Sequence, residues 1–302
     1  MLVRHSLSLT LSNMQLVFKV LLYALIVCII GSAVFVSIAE PIFQLIGEDV
    51  NVTEALNHFL EGILEGEGSV FEGIVNSVNH FVETHPNEMV EIVLLGILLI
   101  YVMKLLFAVI VCPSAYVLNN KMATNFTGGF FNAVMMVGWK GVLTALVYTL
   151  ISTPIDLIIV GGAFFLGRWL VLGIGLFGMI FAIVVGILLL TIRMSIMGQW
   201  VAVFINENLT FSLQFKRGFK QGFKYMHKVF PAMLTLNIIL FGVVATTLIP
   251  TFFIIPVVMM PIALIAFTVI HLITYYMINE RDYYIDEKVI KHSKWTSISK
   301  NT

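Results

Sequence analysis

Long apolar runs recur along this chain, broken by short polar stretches. They cover residues 20–39, 90–117, 141–163, 229–249 and 257–278. A further run starts near Trp169, passes Arg193 and continues toward Asn206. About 20 consecutive apolar residues suffice to cross a bilayer core, so the pattern predicts six transmembrane helices. Pro154 is expected to kink the third, and Pro250, Pro256 and Pro261 to shape the entrance to the sixth. The stretch 141–205 has the fewest polar breaks and the least defined boundaries. Taken in order, the spans pair as three hairpins.

The polar stretches differ from one another. Residues 40–89 are long and acidic, and helical periodicity runs through them. Asn51 is placed to cap a helix, with Val52, Leu56, Phe59 and Ile63 at helical spacing behind it. Ser69 and Glu72 form a capping-box pattern before Phe71, Ile74, Val75, Val78 and Phe81. The prediction is an amphipathic helical hairpin outside the membrane, with its apolar faces buried on the span ends or the bilayer surface. Two other polar stretches, 119–140 and 207–228, interleave Phe with Lys. Each reads as a short interfacial helix with aromatic residues inward and lysines outward. The chain thus reads as one all-α integral membrane domain over 1–302, ending in a polar tail at 280–302.

Composition agrees. Apolar residues form 59% of the chain and charged residues 11%, where a soluble domain carries about 25% charged. Mean hydropathy is +1.00. A net charge of zero argues against a nucleic-acid partner, because phosphate backbones demand a basic surface. Cys28 and Cys112 fall inside apolar runs and read as small buried hydrophobes. Ser37-Ile38-Ala39 resembles a signal-peptidase site. The apolar run before it exceeds the usual 7–15 residues, so a retained first helix is favoured.

Charge placement orients the spans. No lysine or arginine lies between Lys19 and Lys104, yet that stretch holds eleven of the seventeen acidic residues. Basic residues are retained on the cytoplasmic side, while acidic loops cross freely. Six spans place Lys19, Lys121, Lys140, the 216–228 cluster and the C-terminal lysines on one side, leaving Arg168 as the exception. Both termini are then cytoplasmic and residues 40–89 extracytoplasmic. Phe18-Lys19, Trp139-Lys140 and His227-Lys228 open the outward spans alike. A threefold repeat and ordinary interfacial composition explain this equally well.

The stretch Phe215-Lys-Arg-Gly-Phe-Lys-Gln-Gly-Phe-Lys, set before an apolar span, is similar to six-helix bacterial membrane proteins of unassigned function. It is similar also to the membrane domain fused to some glycerophosphodiester phosphodiesterases. The resemblance covers layout over residues 119–280 and implies a bacterial cytoplasmic-membrane location. No part of the sequence resembles the soluble phosphodiesterase domain, so that activity is not carried over, and no catalytic residue transfers.

Several residues are candidates for chemistry. Lys104 lies thirteen residues after Glu91, about 20 Å along a helix and too deep for easy snorkelling. Asp156 is the one acidic residue well inside a span. A Lys104–Asp156 pair is therefore expected, since an ammonium at mid-bilayer costs roughly 2.5–3.5 kcal/mol. His271 either lines a polar path or hydrogen-bonds a neighbouring helix, the commoner arrangement. Glu54, His58, Glu61 and Glu65 form a polar stripe on the first outer helix. It is read first as a solvated acidic face, secondly as a cation-attracting cap, and last as a metal site, since no tight ligand motif is present. Gly178, Ala182 and Gly186 give a small-xxx-small helix-packing face. Gly173-Ile-Gly-Leu-Phe-Gly178 matches a dinucleotide fingerprint as a string but lacks its βα context.

No zinc motif, nucleophile elbow or catalytic carboxylate pair is present in the spans, so no cofactor or metal is expected and an enzyme is disfavoured. An accessory or scaffold protein acting through partner contacts, with a membrane protein or a second copy of itself, is favoured. A transporter or channel component moving a small solute, with Lys104 and Asp156 inside, is the alternative.

Overall fold

The computed structural model describes residues 1–49, 83–84, 86–207, 209–247, 254–285 and 288–290. The fold is all-α, with six helices among the described residues long and apolar enough to cross a membrane. The helices are α1 (Leu2–Ser12), α2 (Met14–Asp49), α3 (Pro86–Thr124), α4 (Phe130–Ile174), α5 (Leu176–Met197), α6 (Gln199–Asn206), α7 (Phe211–Thr247) and α8 (Ile254–Ile278). A two-stranded antiparallel ribbon, β1 (Tyr283–Ile285) and β2 (Lys288–Ile290), follows. The outer hairpin expected over 50–83 lies outside the described residues apart from Glu83, and so do Glu54, His58, Glu61 and Glu65.

Several helices outrun the bilayer. α7 has 37 residues, about 56 Å at 1.5 Å per residue, against a hydrocarbon core of about 30 Å. Its first half carries the 216–228 basic cluster, and it joins the following apolar half as one continuous helix through Pro231. α4 is bent at Gly138, whose φ of 49° and ψ of −147° fall outside helical values. Only glycine takes such an angle at no steric cost. This sets a short leading piece apart from the long apolar run.

The structure corrects one boundary. The third span was expected to end near 163 and the fourth to begin near Trp169. Instead α4 carries Arg168 and Trp169 and runs on to Ile174. Gly175 then turns the chain with φ of 61°, and the Gly178 amide closes the turn onto the Gly175 carbonyl at 2.9 Å. The apolar run has no polar break to mark this turn, so only the glycine's backbone freedom makes it.

The chain divides into two compact units. Unit 1 comprises Met1–Ile26, Leu105–Ile151 and Ile187–Thr302. α8 is its centre: 56% of its apolar window is buried, against 28% or less in the other spans. α1, α6 and α7 pack around it, and Ile265, Val269, Leu272 and Ile273 fill the core with Leu118 and Met122. Polar bonds fasten the periphery. Ser6 Oγ donates to the Ala266 carbonyl at 2.7 Å, and Tyr23 Oη donates to the Leu106 carbonyl at 2.8 Å. Unit 2 comprises Val27–Lys104 and Ser152–Gly186.

Candidate functional site

Within unit 2 the structure brings Lys104 and Asp156 together: Lys104 Nζ donates to Asp156 Oδ2 in an ion pair. α3 supplies the lysine and α4 the aspartate, and both side chains are about a fifth to a quarter exposed. On the preceding turn of α4, Ser152 and Thr153 are buried. Their hydroxyl oxygens have no hydrogen-bond partner among the described residues. A buried hydroxyl without a partner costs free energy, so the turn 152–156 concentrates polarity where lipid offers none. Gly31 of α2 leaves room for Met103, which precedes the lysine.

The small-residue face of α5 also lies in unit 2. A Cβ built on Gly178 would stand 2.5 Å from the Leu170 carbonyl carbon, so nothing larger fits there. Ala182 faces Gly167, and Gly186 faces Ala163. Residues 163, 167 and 170 thus form the matching face of α4, which the sequence reading had not singled out. Close backbone approach through small residues is the usual way apolar helices associate in lipid.

His271 belongs to unit 1. Its Nδ1 lies 3.2 Å from Gln199 Nε2, and a Cβ on Gly198 would strike its ring. The histidine is therefore clamped between α6 and α8, in the helix-to-helix arrangement that was the commoner of its two readings. Tyr275, one turn on, donates from Oη to Glu207 Oε1 at 2.9 Å. Arg193 donates from Nη1 to Tyr148 Oη at 3.0 Å and stacks over that ring at 5.7 Å.

Sequence reasoning also passed over the glycines of the basic stretch in α7. Gly218 accommodates Trp200, whose Cδ1 lies 2.6 Å from where a Cβ would sit, and Gly222 presses onto the Ile196 carbonyl. Spaced i, i+4, they seat α7 on α6 and the end of α5. The Trp200 ring meets Phe215 edge-on at 4.4 Å and Phe219 at 5.6 Å. The glycine spacing was the available signal, and it sits inside the run Arg-Gly-Phe-Lys-Gln-Gly-Phe.

Six long apolar helices, two of which are joined by the Lys104–Asp156 pair, define a multi-pass integral membrane protein. Comparison with protein-family models, curated proteins and solved structures finds no match to this chain.

Proposed function

We propose that this is a non-enzymatic accessory or scaffold component of a bacterial cytoplasmic membrane, acting through contacts with partner molecules. The observation that carries the reading is the Lys104–Asp156 ion pair. A charge placed in lipid to handle a solute must be available to that solute. Here the ammonium is already answered by the chain's own carboxylate. In the same unit, small residues bring α4 and α5 into close contact, which favours a packed bundle. The distribution of lysine and arginine supports cytoplasmic termini and an extracytoplasmic 40–89 segment.

A second reading, a transporter or channel component, is favoured by the buried hydroxyls of Ser152 and Thr153 beside Asp156. Water or a small cation would satisfy them. Proteoliposome flux separates the two. Purified protein, under an imposed membrane potential, is assayed for movement of protons, Na⁺, K⁺ and Mg²⁺. The accessory reading expects flux no higher than in protein-free vesicles. Flux above that level that falls in Lys104→Met would overturn it and establish transport.

A further inference from the structure

We propose that the first half of α7 and the end of α8 form a binding pocket for a phosphate group. It is an open pocket of about 510 Å³, lined by Lys216, Arg217, Lys220 and Lys224 together with Gln221 and Asn279. Lysines 216, 220 and 224 are spaced i, i+4, i+8 and share a helix face. Like charges at that spacing repel and weaken a helix, so an anion between them removes a standing cost.

The cations are only partly answered within the chain. Arg217 Nε lies 3.0 Å from Glu207 Oε2, and that carboxylate is itself held by Tyr275 at its other oxygen. Glu207 is thus an anchored partner for one cation of the four. Lys216, Lys220 and Lys224 have no carboxylate partner among the described residues. Lys224 instead lies 5.2 Å above the Tyr225 ring. Phosphate, with its several acceptor oxygens, matches a cluster of ammonium and guanidinium donors.

Two further features shape the site. The opposite face of α7 is pinned, by Gly218 against Trp200 and Gly222 against Ile196, so the basic face is presented in a fixed orientation. Gln221 Oε1 is buried without a hydrogen-bond partner, an acceptor that a P–OH or a neighbouring hydroxyl would satisfy. Leu213 and Ile278 add an apolar margin to the pocket, beside which the glycerol and upper acyl chain of a lipid would lie.

The phosphate is either that of an anionic phospholipid or that of a soluble compound, and one calorimetric experiment distinguishes them. The full chain in neutral detergent is titrated with dihexanoyl phosphatidic acid, with inorganic phosphate, and with dihexanoylglycerol as the phosphate-free, uncharged control. Saturable binding of phosphatidic acid is expected, at least tenfold weaker in the Lys216→Gln/Lys220→Gln/Lys224→Gln variant. It should stay within threefold in Lys220→Arg, which keeps the charge, and within twofold in Lys19→Gln/Lys140→Gln, which removes exposed charges outside the pocket. Inorganic phosphate binding with the same lysine dependence assigns the site to soluble ligands; binding of the lipid alone assigns it to the membrane. Absence of saturable binding by both, or an equal loss in the triple variant and the Lys19/Lys140 control, would overturn the proposal. Circular dichroism of the triple variant matching the parent shows that the loss is not unfolding.

Discussion

Unit 1 closes over a core of the kind a soluble protein has, whereas the described part of unit 2 buries only two hydrophobic side chains, Val27 and Ala182. Unit 1 adds long-range polar stitching: Ser6 to α8, Tyr23 to α3, Asn237 to Thr191 at 2.8 Å, and Tyr276 to Asn119 at 3.1 Å. The described part of unit 2 has close glycine and alanine contacts and the Lys104–Asp156 ion pair. Both units contain helices long and apolar enough to cross a membrane, so the difference is one of packing rather than of solvent. Lipid tails are as apolar as leucine, so burying a leucine between membrane helices gains little, and packing of small residues plus rare polar bonds must hold them. Unit 1 has many such bonds, and losing one leaves the rest. Among the described residues of unit 2, the Lys104–Asp156 pair joins α3 to α4.

The largest expected effect is therefore in unit 2. Lys104→Met leaves the Asp156 carboxylate without its ammonium. Breaking a fully buried pair this way costs about 3–5 kcal/mol. Partial exposure of both side chains lowers the expectation to about 2–3 kcal/mol. Adding Asp156→Leu removes the stranded charge and should recover most of that loss. Thermal unfolding in detergent, followed by loss of the monodisperse peak, reads both variants. A double variant no more stable than Lys104→Met would mean that the pair does not hold unit 2 together.

The pair was legible because charge in lipid has few solutions. Asp156 is the one acid well inside a span, so a mid-span lysine has one partner to find. The six spans were legible for a similar reason, since runs of apolar residues this long fit nothing but a bilayer. Features set by backbone geometry were not legible. The turn at Gly175 sits in an unbroken apolar stretch, and its signal is a φ angle rather than a polarity change. α1 was missed because Leu2–Ser12 has modest apolar character; its helix is held by tertiary bonds such as that of Ser6 to Ala266. The β1–β2 ribbon is two strands of three residues each, too short to show alternation. The pocket at Lys216 and Lys220 needed α8 beside α7, and spacing along one helix does not supply that.

A second test compares glycines. A Cβ on Gly222 would overlap the backbone carbonyl of Ile196, which no rotamer change can move aside. Gly222→Ala should cost about 1–3 kcal/mol, the range for overpacking a tight site. Gly186→Ala in unit 2 brings two methyls to 3.2 Å, a squeeze that small helix shifts in lipid relieve, so the cost should stay below about 1 kcal/mol. The two thermal midpoints in one detergent give the comparison. Equal losses would show that unit 2 is packed as rigidly as unit 1, and the contrast would fail.

The smallest effect is a pH dependence carried by unit 1. His5 Nδ1 lies 2.7 Å from Tyr283 Oη. Burial pushes the Tyr283 hydroxyl up to about 12, so at neutral pH it keeps its proton and is able to donate to an unprotonated Nδ1. Burial, then the N-terminal ammonium and Arg4, hold His5 below its ordinary value of 6.5. The folded state thus prefers neutral His5, while the unfolded chain takes up the proton more readily. Stability from this group is present above about pH 6.5 and is lost as pH falls through the lowered folded value. Between about pH 7.5 and about pH 5 the parent should lose stability on the scale of one hydrogen bond, about 1 kcal/mol. In His5→Gln the slope should flatten, with most of its absolute loss already present at the higher pH. The thermal midpoint measured across that range decides it. A slope that is the same in parent and variant would move the pH sensitivity away from the α1–β1 contact.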